Sequence, residues 1–180
     1  MMIALFIIFL VIVVAASVSV TVYTNKKKEK EQKYYIAAGN IYKEDYLNYS
    51  LQNPLDENPN FSKPSDQKTM IYLKCLHTKN KMEYVFDPSK EIVIGRDQER
   101  CNLYINEPSV SKIHCCIFAS GFDVYLKDMG SANGTAVHKS LFNNYIINNK
   151  EMIKLDTGDV ITIGSNEIKV ALFYYDVTIM

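Results

Sequence analysis

The chain has 180 residues, room for one ordinary domain plus accessory segments. Its 20 Lys and Arg balance 20 Asp and Glu. The overall basic excess that draws a protein onto nucleic acid is therefore absent, no nucleic-acid partner is expected, and any phosphate binding has to be local.

From Met2 to Tyr23 there is no charged side chain, and Ile3, Leu5 to Val14 are apolar on every helical face. A helix over residues 2–23 rises roughly 30 Å, enough for a hydrocarbon core, and satisfies its own backbone polar groups in lipid. A cleaved signal peptide needs a basic residue ahead of its apolar stretch. None precedes this one, although Ala15-Ala16-Ser17 imitates a cleavage site. The sequence thus predicts one transmembrane helix over 2–23, touching the lipid bilayer. Lys26, Lys27, Lys28, Lys30 and Lys33 follow directly. By the positive-inside bias they place that flank and everything after it in the cytoplasm, giving a single-pass protein of the cell membrane.

Residues 24–69 read as a basic juxtamembrane segment and linker. Tyr34, Tyr35, Tyr42, Tyr46 and Tyr49 suit either a short helix among lipid headgroups or a disordered tether. Pro54, Asn58-Pro59 and Lys63-Pro64 break any long helix.

Residues 70–180 have an all-β texture, with short β-branched and aromatic runs between turn signals. Ile71, Leu73 and Cys75 alternate with Tyr72, Lys74 and Leu76, and Lys79-Asn80 reads as the turn to a second strand at Glu83 to Phe86. Further strands are expected at Glu91 to Ile94, Leu103 to Ile105, His114 to Phe118, Val124 to Lys127, Thr135 to His138, Met152 to Lys154, Val160 to Ile163 and Ile168 to Tyr174. Many short strands at such spacing suggest a sandwich or barrel. The cysteines, at 75, 101, 115 and 116, form no CxxC pair and have no His at metal-ligand spacing. They read as reduced thiols, Cys115 in the core, with no metal and no cofactor implied. Cys115 and Cys116, being neighbours on a strand, should face opposite sides.

Four fragments then appear in a telling order: Ile94-Gly95-Arg96; Val110-Ser111-Lys112-Ile113-His114; Leu126-Lys127-Asp128 leading to Ser131-Ala132-Asn133-Gly134-Thr135; and Leu155-Asp156-Thr157-Gly158-Asp159 before Val160 to Gly164. From about Met70 to Tyr175 the chain resembles the forkhead-associated (FHA) domains. What the resemblance implies is a β-sandwich of about eleven strands whose loops at one end bind phosphothreonine peptides.

Residue by residue, the resemblance implies that Arg96 grips the phosphate with its planar fork, that Ser111 donates a hydroxyl, and that Lys112 adds charge. Asn133 would bind the peptide backbone with its amide. Gly95, His114 and Gly134 would support the binding loops, His114 as a buried strut rather than a catalytic base. Plainer readings exist: a surface arginine, a turn serine, a solvated lysine, an Asn-Gly hairpin pair. Asn102 departs from the family's usual Asp, and His138 from an Asn that often follows the seventh strand; Ser109 holds a loop position that reads peptide sequence in some members.

No nucleophile, carboxylate pair or phosphate loop accompanies His114, so no enzyme is expected. The implied function is a membrane-anchored phosphothreonine-binding module that recruits a serine/threonine kinase or its threonine-phosphorylated substrates; compact anchored members of this kind accompany bacterial kinases acting on envelope growth and division. The alternative is an FHA scaffold for protein interactions independent of phosphorylation.

Overall fold

A computed structural model describes residues 2–52, 67–76, 82–139, 144–148 and 150–176. The chain divides into two compact units, Met1–Ala37 and Ala38–Met180. Helix α1 spans Met2–Gln52.

In the first unit the side chains from Phe6 to Tyr23 are exposed, and this part of α1 is long and apolar enough to cross a membrane, with a mean hydropathy of 2.7 in its most apolar window. Its few hydroxyls are satisfied locally. Ser17, Ser19, Thr21 and Thr24 each donate to a carbonyl one turn back, at 2.8 to 2.9 Å. Among the described residues, these Ser and Thr protons are therefore engaged within the helix, which is what a lipid environment requires.

In the second unit eleven strands lie among the described residues. They are β1 (Gln67–Cys75), β2 (Glu83–Phe86), β3 (Ile92–Gly95), β4 (Leu103–Tyr104), β5 (Cys115–Ser120), β6 (Asp123–Asp128), β7 (Thr135–His138), β8 (Asn144–Ile147), β9 (Met152–Leu155), β10 (Val160–Ile163) and β11 (Asn166–Asp176). One sheet has the order β2-β1-β11-β10-β7-β8 and the other β4-β3-β5-β6-β9. Side chains of strand period 2 meet between them: Ile71, Leu73, Ile94, Ile117, Leu126, Ile161, Ile163 and Ile168 are all buried in one cluster. The expected sandwich is therefore the observed one.

Three features depart from expectation. Strand β8 carries no alternating signal because three of its four residues are exposed; it sits at a sheet edge and exists by pairing with β7. Strand β1 begins at Gln67, and all nine of its residues pair with β11. Most consequential is α1, which continues to Gln52 through residues expected to be linker. Ala38 and Tyr42 are buried against Met70 and Tyr175. The Tyr42 and Tyr175 rings stack with centroids 5.5 Å apart, the Lys68 ammonium lies 4.7 Å from the Tyr42 ring centre, and Asp45 pairs with Lys90 at 2.5 Å. Tyr42 thus contributes to the outer face of the β1–β11 pair rather than to a lipid interface, and Met70, on the side of β1 away from the inter-sheet core, is covered. The expected helix-breaking prolines at 54, 59 and 64, and the turn at Lys79-Asn80, lie outside the described residues.

The register puts the ends of β3 and β6 and the starts of β5 and β7 at one end of the sandwich. Lys68, Lys90 and Tyr175, which receive the tail of α1, lie at the other. Removing the Tyr42 ring should cost about 2–3 kcal/mol, somewhat less than a fully enclosed aromatic. Urea unfolding of residues 34–180 with and without Tyr42→Ala measures this, and an unchanged midpoint would mean that the helical tail is not part of the folded unit.

Candidate functional site

The site starts from a close approach of two backbones. At the end of β3 the N–H groups of Arg96 and Asp97 donate to the carbonyls of Ser111 and Lys112 at 3.0 and 3.1 Å, and His114 N–H donates to Ile94 C=O at 2.9 Å. The 110–114 loop is so laid along the strand end. A Cβ on Gly95 would stand 2.3 Å from the Lys112 carbonyl oxygen; glycine is what permits the contact.

Arg96 is exposed. Its Nε–H donates to Val110 C=O at 3.1 Å, which fixes one side of the guanidinium and leaves the Nη groups without a partner among the described residues. The neighbouring carboxylate does not neutralise it. Asp97 is taken by Arg100, at 2.8 Å from Nε and 2.7 Å from Nη2, and that hydrogen bond holds the Asp97 carboxyl below the usual range.

His114 is completely buried. Its Nδ1 accepts from Ser111 N–H at 3.2 Å, and its Nε2 lies 3.1 Å from Gly134 C=O. Together these partners require a neutral ring with the proton on Nε2. One imidazole so ties the 109–114 loop to the 129–134 loop. Ser111 Oγ accepts from Ala132 N–H at 3.1 Å, which orients the hydroxyl while its proton remains available. Asn133 Nδ2–H donates to Ser109 C=O at 2.9 Å, leaving its carbonyl oxygen and second amide hydrogen. Lys112 is exposed and makes no ion pair among the described residues. Arg96, Ser111, Lys112 and Asn133 are thus carried on loops cross-linked to one another, and Gly95, His114 and Gly134 stand at the cross-links.

Two carboxylates that the sequence did not single out hold these loops. Asp128 is completely buried. Its Oδ1 accepts from the N–H groups of Gly130 and Ser131 at 2.9 and 3.0 Å, its Oδ2 from the hydroxyls of Ser131 and Thr135 at 2.6 and 2.9 Å. Burial pushes this carboxyl up, yet the hydrogen bonds from Ser131, Thr135 and Gly130 outweigh it and hold the group below the usual carboxylate range. An Asp followed two and three residues later by Gly and Ser is an Asx-turn pattern, so a signal was present. Glu107 accepts from the Ser109 hydroxyl, from Ser165 N–H at 3.2 Å and Oγ at 3.0 Å, and from Asn166 Nδ2. The Ser109 bond first, then those of Ser165, lower its carboxyl. Its partners at 165 and 166 are too distant in sequence for any local pattern to reveal.

Gly134 has φ +71°, and a Cβ there would meet the Asn148 amide oxygen at 2.0 Å; a side chain at this position is strained. The two family departures are accommodated. Asn102 Oδ1 accepts from Val93 N–H at 2.8 Å, a role an Asp oxygen would fill equally. His138 lies 2.8 Å from Asn144 Oδ1 across β7 and β8. Cys115 is a core residue, as expected; Cys116 is buried too, its sulfur 3.5 Å from that of Met129. No group of three or more His, Cys, Asp or Glu able to hold a metal occurs among the described residues.

Asp128→Ala should destabilise the domain by about 2–4 kcal/mol, because it leaves four donors in the loop without their acceptor. The pH sign follows from the lowered carboxyl. Stability contributed by Asp128 is fully present above its unfolded value of ~3.9 and is lost as pH falls through the lower folded value. Urea midpoints measured from pH 6 downward should therefore fall below about pH 4 in the parent and less steeply in Asp128→Asn. Parallel curves would remove Asp128 from this role.

Residues 92–164 match the model of the FHA domain family. Protein FraH of Nostoc sp. (strain PCC 7120) is 28% identical over 120 residues, covering 61% of this chain and 40% of FraH, so the chain spans well under two thirds of that curated relative. Similar solved structures include the FHA domain of the CT664 protein from Chlamydia trachomatis, 22% identical, with 57% of this chain and 96% of that one covered and a TM-score of 0.47. Full-length yeast Pml1p is 24% identical, with 58% and 83% covered and a TM-score of 0.49. The matched segment runs from Ile92 in β3 to Gly164 after β10 and contains Gly95, Arg96, Ser111, Lys112, His114, Asn133 and Gly134: over these residues the chain carries an FHA domain.

Proposed function

We propose that this chain is a membrane-tethered receptor for threonine-phosphorylated proteins. FHA domains are interaction modules known for binding phosphothreonine peptides. The observation that carries the reading here is the state of the donors. Among the described residues Arg96 and Lys112 make no ion pair and Ser111 keeps its proton, although the loops bearing them are cross-linked. A phosphothreonine brings about −1.5 to −2 charges and several acceptor oxygens, and fixed unpaired donors are what such a group needs. Arg96 supplies the bidentate grip, Ser111 a hydroxyl and Lys112 a further charge. Asn133, with one amide hydrogen already engaged, supplies the carbonyl oxygen and remaining N–H to the peptide backbone.

The tether is the apolar part of α1, and the lysines after it support a cytoplasmic FHA domain through the positive-inside bias. The partner is then a serine/threonine kinase or its substrates, met at the membrane in envelope growth or division. His114 supports the binding loops rather than catalysing, because both of its ring nitrogens are engaged and neither serves as a free base.

A pair of mutants tests the site. Arg96→Ala removes one partner of a charge-assisted bond worth about 2–3 kcal/mol, so phosphopeptide binding should weaken roughly a hundredfold with little change in thermal stability. His114→Ala leaves Ser111 N–H and Gly134 C=O unpaired and should lower the melting temperature first, binding only as a consequence. If Arg96→Ala binds like the parent while folded, the phosphate is held elsewhere.

Topology is tested at Cys101, the one cysteine of the four that is not buried. A membrane-impermeant thiol reagent should leave it unlabelled in intact cells and label it after permeabilisation. Labelling in unbroken cells would contradict a cytoplasmic domain.

A further inference from the structure

The lysines after the apolar stretch are not scattered evenly around α1. At 3.6 residues per turn, Tyr23, Lys26, Lys30 and Lys33 fall within a sector of roughly 80°. They line one shallow depression of about 360 Å³, with Lys27 and Glu29 at its margin. The remaining charges behave differently. Lys27 is paired with Glu31, 4.0 Å away, and Lys28 and Glu31 project well outside the sector. Lys26, Lys30 and Lys33 make no ion pair among the described residues.

We propose that this face, Tyr23-Lys26-Lys30-Lys33, binds the phosphate groups of anionic phospholipids. The inference rests on the reading of α1 as a membrane span. If residues 2–23 fill the hydrocarbon core, Tyr23 stands at its edge, where amphipathic rings gather. Lys26 to Lys33 then cover ~10 Å along the axis, close to the ~5–8 Å of headgroup region on one side of a bilayer. Lysine stems lie along the helix and deliver their ammonium groups to that layer. Orientation by the positive-inside bias needs only basic residues somewhere on the flank. It does not need them on one face, unpaired, below an aromatic ring. Charge complementarity selects the occupant: three ammonium groups with Glu29 as the one carboxylate lining the depression leave a net positive face, which favours lipids with net negative headgroups over zwitterionic ones.

The chain has no tryptophan, so Tyr23→Trp installs a single fluorophore at the boundary. The full chain carrying it would be reconstituted into phosphatidylcholine vesicles containing a minority of phosphatidylglycerol, with acyl-chain bromines on one lipid or the other at equal bromine content. Quenching at low ionic strength should be at least ~3-fold stronger when phosphatidylglycerol carries the bromines. Lys26→Gln with Lys30→Gln and Lys33→Gln should abolish that preference. Lys27→Gln with Lys28→Gln, off the face, should retain it. Equal quenching by the two lipids in the parent, or a preference that survives the on-face substitutions, overturns the headgroup site while leaving the span intact. An absence of quenching by either lipid overturns the span itself and this site with it.

Discussion

The binding end of the domain depends on one uncharged imidazole. His114 is buried where it can accept from Ser111 N–H and donate to Gly134 C=O at once, which only the Nε2-protonated ring can do. Ser111 and Asn133 sit on the two loops it joins, so the positions of both are consequences of that bridge. A proton on Nδ1 would set two donors face to face at Ser111. The same constraint occupies both ring nitrogens of His114 and makes its burial between the two loops the useful property.

Around that bridge, charges are sorted. Three acidic groups at this end are engaged internally: Asp97 with Arg100, Glu107 with Ser109, Ser165 and Asn166, Asp128 with Gly130, Ser131 and Thr135. Among the described residues, the basic groups Arg96 and Lys112 make no ion pair. A protein of zero net charge thereby presents a locally cationic surface, which satisfies the requirement that phosphate binding be local. Elsewhere in the domain, lysines are paired instead, Lys139 with Asp156 and Asp159, Lys154 with Asp123, Lys74 with Glu83. Carboxylates organise the loops, and the cations among them stay exposed.

Legibility from sequence followed the range of the interactions involved. Strands β2, β7 and β10 were legible to the residue because β-branched and aromatic runs bounded by turn residues carry their own signal. The exposed edge strand β8 had none to offer, since pairing with β7 makes it a strand. Residues 38–52 resembled a linker because their apolar contacts, Ala38 and Tyr42, are too few to define a helical stripe; their partners Met70 and Tyr175 come from distant strands. At the site, Gly95, Arg96, Ser111, His114 and Asn133 were legible through the spacing of family motifs, while Glu107 was not, because the turn it holds is 58 residues away. The buried Cys116 shows the same limit: alternation puts it on the face opposite Cys115, and its sulfur meets Met129, a contact between distant positions that alternation does not reveal.

The central claim is that this end of the sandwich reads phosphothreonine as such, and three peptides of one sequence test it directly: phosphothreonine, phosphoserine and unmodified threonine, titrated against residues 34–180. The account predicts binding to the first, at least ~4-fold weaker binding to the second, from the ~0.8 kcal/mol carried by one buried methyl group, and none to the third. Equal affinity for phosphothreonine and phosphoserine would reduce the site to a general anion trap. Equal affinity for all three would contradict the account altogether and leave a scaffold indifferent to phosphorylation.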